Sequence, residues 1–429
     1  MMPKWLILTG AVVILMASCR KETENKFPEV FIDSPYENQQ FNVFDTIHVH
    51  VRMTDDVGLT TLKVQLLDLN MIPVLPQFMQ SLSGVSQDIS FDYVINNIRI
   101  TSGNYVLSVE AHDASDYRRI YKTVYVTEAP LELQGFFVVT NTTPNVRIYK
   151  CDSSFNPAIW DQSVTDFTDM ALSSYWQQVY INGQLTGSLR ALSIDGSLPN
   201  WSLPAFPSTM PYWGPLSTNG LRLLISCPGP GQIRQLDESG NQEFFANTTN
   251  GFYPDHHLQV DNRIYVEQKE ISSAAKKIVV YNVAGAAMQE TNLTLDALAM
   301  FQKDNDQIYV IGNEAGQGSL LIYDFIMNGF WEPITLPAGS VLSAAQISGE
   351  ILLIAMSNGN VYKFNYNPIS LMIWGTGINP AQLRYDATSG SVISAEGSNV
   401  RIYNFNPFML EQTIPFPDPV ADLELWYNR

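Results

Sequence analysis

The sequence predicts an all-β chain of two successive folded units: a β-sandwich, then a cyclic array of repeated four-stranded sheets. Two patterns carry this reading. Between Phe27 and Glu128, apolar and polar residues alternate with a period of two, and no helical period intervenes. Beyond Leu131, a β-branched and aromatic strand recurs at a nearly fixed interval. At 429 residues the chain is too long for one ordinary core. A hydrophobic content of 45% with 15% charged residues describes packed globular units, not a disordered chain.

The first element is an expected export leader. Residues 1–18 place Lys4 before an apolar stretch from Trp5 to Ala17, closed by the small residue Ser18. The apolar run is too short for a permanent membrane span, which needs about 20 residues. Met16-Ala17-Ser18-Cys19 resembles the lipobox of lipoprotein signal peptidase substrates, which implies lipidation at Cys19. Two or more acyl chains on Cys19 would anchor the protein stably where one would not. Residues 19–26 form the tether. Its charged start, Arg20-Lys21-Glu22-Thr23-Glu24, resembles the tag that sends some Gram-negative lipoproteins to the outer face of the outer membrane.

The second element spans residues 27–128. Asp45 to Met53, Leu62 to Leu67, Tyr105 to Ala111 and Ile120 to Val126 all alternate, placing one face in a core and the other in water. Ser102-Gly103-Asn104-Tyr105 leads into the penultimate strand at the place of a tyrosine corner, and the segment resembles an Ig-like module. Asp55-Asp56, His112-Asp113 and Asp116 read as turn residues in preference to a calcium site. His48 and His50 share a strand face without a third ligand, which favours solvent-facing histidines over a metal site. Asp45-Thr46-Ile47 is a weak match to an O-glycosylation acceptor.

The third element spans residues 131–429. Its recurring strands centre on Phe137, Tyr180, Leu224, Tyr265, Tyr309, Leu353 and Ile393, at intervals of 43, 44, 41, 44, 44 and 40 residues. A second strand follows each, clearest at Val146 to Lys150, Ile278 to Asn282, Leu320 to Asp324, Asn360 to Phe364 and Val400 to Asn404. The region resembles a seven-bladed β-propeller of the WD40 and quinoprotein-like kind, without the Trp-Asp signature. The first repeat lacks an innermost strand, and Val420 to Trp426 is available to supply it and close the ring.

The chemistry is less legible. A net charge of −18 repels nucleic acid and anionic lipid, so no nucleic-acid partner is expected. With Cys19 set aside, Cys151 and Cys227 lie in largely nonpolar runs and read as buried thiols, with a bridge between them an open but unforced alternative. No HExxH, CxxC, GxSxG or phosphate-loop pattern occurs, so no catalytic residue, metal or cofactor is assigned. The matched innermost positions read as mostly apolar or small. Candidate ligand contacts are Tyr212, Trp213, Tyr253, Asp255, His256 and His257 on one channel face, set against the reading that the aromatics fill gaps between sheets. Strict alternation would send His256 and His257 to opposite faces.

Three functions remain open at this level. The first is a non-catalytic, lipid-anchored surface protein, a binding or accessory subunit of an outer-membrane nutrient-uptake complex with a possible glycan or peptide ligand. Its domain order resembles lipoproteins that accompany SusC/SusD-type importers. The others are a propeller lyase or hydrolase acting on polysaccharide or peptide, and a structural or adhesion subunit.

Overall fold

The computed structural model describes residues 26–142, 145–162, 166–183, 187–196 and 199–429. The expected leader, the expected lipidation site Cys19 and the tether up to residue 25 lie outside the described residues. What is described is all-β, and no helix is long and apolar enough to cross a membrane. Two compact units divide between Pro130 and Leu131.

The first unit is a sandwich of two sheets. One orders Glu29–Ser34, Thr46–Thr54 and Ser86–Val94. The other orders Gln39–Asn42, Tyr117–Thr127, Gly103–His112, Thr61–Leu67 and Phe78–Ser81, with its first pair parallel. Strand Thr46–Thr54 shows why the sequence folds this way. Ile47, Val49, Val51 and Met53 are buried against Leu62, Val64, Leu107 and Val109. His48, His50 and Arg52 point outward, each beside an acid. His48 Nδ1 lies 2.6 Å from Asp92 Oδ1, His50 Nε2 lies 2.6 Å from Asp88 Oδ1, and Arg52 forks onto Asp33 at 2.5 and 2.8 Å. Asp55 and Asp113 each accept backbone amides of their own turns. Tyr105 donates its hydroxyl to the Thr101 carbonyl at 2.9 Å.

The second unit is a β-propeller. Among the described residues it contains seven four-stranded antiparallel sheets. Sheets two to seven each run consecutively along the chain, starting from innermost strands Asp169–Ser173, Leu216–Thr218, Phe252–Val260, Asp296–Gln302, Val341–Ser348 and Gln382–Asp386. Sheet one is composite: Val420–Tyr427 pairs with Leu133–Thr142, in register from Val420 opposite Thr140 to Tyr427 opposite Leu133. Each sheet contacts the next, and Val420–Tyr427 touches both Gln382–Asp386 and Asp169–Ser173, so the ring is closed.

Packing explains the sequence pattern of the second strands. In Leu133–Thr142, Phe136 and Val138 bury against Ile393 and Ile402 of sheet seven. Phe137 and Val139 bury against Met170, Val179 and Ile181 of sheet two. Both faces are interior, so the strand reads as a continuous apolar run. Sheets also approach closely within themselves: a Cβ on Gly312 would collide with the Asp296 carbonyl, where the innermost strand of sheet five bulges at Leu298.

Candidate functional site

The six sequence candidates separate into three groups. Trp213 is fully buried in the core between sheets two and three, with Tyr212 edge-on to it at 4.7 Å. Both pack between sheets. Tyr253 is half-buried opposite Lys269. Asp255, His256 and His257 lie on the innermost strand of sheet four, and there strict alternation fails. The register with Arg263–Glu270 shifts between Pro254 and His257, and this bulge brings His256 and His257 to the wall of one cavity.

Asp255 and His256 belong to a charged group with Glu267 and Lys269. Lys269 Nζ lies 2.5 Å from Asp255 Oδ2, 3.8 Å from Glu267 Oε1 and 3.5 Å from Asp296 Oδ1. His256 Nδ1 lies 3.3 Å from Glu267 Oε2. Burial works against a charge on His256, but Glu267 and Asp255 outweigh it and raise its pKa. Ligand atoms of Asp255, His256 and Glu267 come within 4.8 Å of one another, a spacing that suits a metal. The lysine ammonium already supplies the cation there, and Glu267 Oε1 accepts the Ala297 amide at 3.0 Å. The residues do not fit a metal without displacing both.

His257 is different. Its Nδ1 lies 2.8 Å from Ser226 Oγ, and Ser226 in turn donates to the Asp255 carbonyl. Burial and the neighbouring His256 push the His257 pKa down to about 4, so the ring is neutral at pH 7.

The cavity itself occupies about 760 Å³ at the propeller centre. It is lined in part by four charged side chains absent from the sequence candidates: Asp169, Arg384, Asp422 and Glu424. They stand on three adjacent innermost strands where the ring closes. Arg384 Nη2 lies 2.7 Å from Glu424 Oε1 and 3.6 Å from Asp422 Oδ1. Burial, reinforced by the Asp422 charge, holds Asp169 well above the usual carboxylate range. Burial also raises Asp422 and Glu424, against the pull of Arg384. The two carboxyls both accept the Met170 amide, which places them side by side. The innermost strands are therefore not uniformly apolar. The signal was present in the period-2 placement of Asp422 and Glu424 on one face of Val420–Tyr427.

Several of these polar groups bridge neighbouring sheets. Asp422 Oδ2 accepts the Met170 amide at 3.1 Å, and Asp169 Oδ2 accepts the Leu216 amide at 2.7 Å. Glu267 does the same for Ala297, and Asn313 holds both backbone groups of Val341 at 2.7 and 3.0 Å. Each such bond satisfies a buried amide that the sheet ladder leaves open. Cys151 and Cys227 are buried free thiols, and burial pushes each up to about 12.

No family model and no curated protein matches the sequence. Among solved structures, a Quinonprotein alcohol dehydrogenase-like protein from Bacteroides thetaiotaomicron is similar over 94% of this chain and 99% of that one, at 13% identity and a TM-score of 0.48. The WD40 β-propeller domain of Doa1 is similar over 66% of this chain and 98% of that one, at 11% identity and a TM-score of 0.49. Such identities speak to fold alone, and the propeller assignment rests on the sheet order and ring contacts above.

Proposed function

We propose that the protein is a non-catalytic, lipid-anchored lipoprotein of the bacterial cell surface, in which an Ig-like domain carries a seven-bladed propeller that binds a ligand. In this reading it is a binding or accessory subunit of an outer-membrane nutrient-uptake complex. The 3+5 strand division, the parallel edge pair and the Tyr105–Thr101 bond support the Ig-like assignment. Seven sheets closed by the last strand support the blade count.

The observation that carries the binding reading is the central cavity. Its volume falls in the range of about 300–1,000 Å³ typical of ligand sites. The adjacent carboxyls Asp169 and Asp422 favour a second reading, a hydrolase or lyase, because paired carboxyls suit acid–base chemistry. Against it, all four oxygens of the pair accept backbone amides: Asp169 from Met170 and Leu216, Asp422 from Leu423 and Met170. Groups so committed hold strands together and are poorly free to approach a substrate.

The test is surface crosslinking and isolation of the protein from intact cells, with a glycan and peptide binding screen alongside. Co-isolation of an outer-membrane importer with a saturable ligand is the expected result. Recovery with neither, or protection from added protease in intact cells, overturns the uptake role.

A further inference from the structure

The cavity is chemically two-sided. Sheets five and six supply an apolar wall that includes Leu298, Ala299, Met300 and Leu342. The opposite wall carries Asp169, Arg384, Asp422 and Glu424. The charges on that side do not balance. Three carboxyls face one guanidinium, so the acids outnumber the cation. The neighbouring acids Asp255 and Glu267 have their own partners in Lys269 and His256.

The surplus can be traced to an atom. The oxygens of Asp169 and Asp422 are taken by backbone amides, as above. Glu424 Oε1 is taken by Arg384. Glu424 Oε2 has no hydrogen-bond partner among the described residues, although about a quarter of its side chain stays open beside a cavity it lines. Arg384 is engaged at both terminal nitrogens, since Nη1 also donates to Gln382 Oε1 and the Leu383 carbonyl.

We propose that the cavity binds an amphiphilic organic cation, with an ammonium, amidinium or guanidinium head on Glu424 and an apolar body against the wall of sheets five and six. This rests on the ligand-binding reading above and names its substrate class. A neutral sugar leaves the buried charge uncompensated and wastes the apolar wall. A calcium or magnesium ion needs six or more oxygens at close range, and the amide-bound carboxylates cannot supply them.

Titration calorimetry of the full-length protein with benzamidine, beside its neutral counterpart benzamide, tests the proposal. Benzamidine binds saturably and benzamide at least tenfold more weakly. Glu424→Gln removes the charge at nearly constant shape and weakens benzamidine at least tenfold. Leu298→Lys brings a competing ammonium to the opposite wall and abolishes binding, which keeps the test decisive if the first variant does not fold. The proposal is overturned if benzamidine gives no saturable heat, if benzamide binds as well, or if Glu424→Gln binds undiminished. A failed uptake role leaves these titrations untouched, so the two ideas fail separately.

Discussion

Strand Thr46–Thr54 of the sandwich and strand Leu133–Thr142 of the propeller solve the same problem in opposite ways. The first spends one face on the core and gives the other to water, so His48, His50 and Arg52 alternate with Ile47, Val49 and Val51. The second lies between two neighbouring sheets, so Phe136 and Phe137 are both interior although they point to opposite sides. The contrast governs where polar chemistry can go. Strand Thr46–Thr54 carries its charges on its outer face, where they pair in water and hold little stability. A propeller has few such faces on its second strands. Several of its buried charges therefore gather around the channel and across the seams between sheets. The same physics that hides the core builds the candidate site.

This comparison can be strained at several points. The largest expected effect comes from removing residues after Pro419. That deletes the innermost strand of sheet one and strips Asp422 and Glu424 from the seam. The propeller should lose its cooperative melting transition while the sandwich retains one, and a single unchanged transition in scanning calorimetry counts against ring closure as a stability requirement. Next in size are the paired truncations Phe136→Ala and Phe137→Ala. Each should cost about 3–5 kcal/mol, as for a large buried aromatic. If one of them proves neutral in urea unfolding, the two-faced burial is wrong.

The third prediction concerns pH. His257 is held neutral, with a folded pKa of about 4 against 6.5, so the unfolded chain binds the extra proton. The stability it confers is complete above pH 6.5 and is lost as pH falls toward 4, to the extent of roughly 3 kcal/mol. Asp169, Asp422 and Glu424 have raised folded values and act in the opposite sense. Their contribution is full below the ordinary carboxylate range and declines as pH rises through their folded values. His257→Asn should flatten the acid limb of a melting-temperature profile and leave the opposing limb in place. An unchanged acid limb points to another titrating group. The smallest effect is expected at His48→Ala, which removes an exposed pair with Asp92 worth about 0–1 kcal/mol. A loss near that of Phe137→Ala would erase the distinction between the two strands.

Much of the fold was legible because its period is set by packing. The spacing of Phe137, Tyr180, Leu224, Tyr265, Tyr309, Leu353 and Ile393 marks one buried strand per sheet, and all seven fall on second strands. The alternation at Thr46–Thr54 was equally plain. The site was less so. Trp213 admitted both readings, stacking platform or filler between sheets, because nothing local tells an aromatic in a channel from one wedged between sheets. His256 and His257 were expected on opposite faces because the bulge after Pro254 follows from pairing with Arg263–Glu270, not from the local sequence. The quartet of Asp169, Arg384, Asp422 and Glu424 is spread over more than 250 positions, 424 minus 169, and only ring closure assembles it. A search for one residue type at the same place in every repeat passes over it.

Closure by the last strand also sets an order of events in the life of the chain. Leu133–Thr142 is made early and carries an open edge until Val420–Tyr427 arrives nearly 300 residues later, since 420 minus 133 is 287. During synthesis the sandwich can complete itself, because all its strands are present by Thr127. The propeller cannot. It travels as an unfinished ring with an unpaired, apolar strand edge, the kind of surface that aggregates unless it is shielded. Arrival of Val420–Tyr427 thus decides when that edge is covered and the ring is closed.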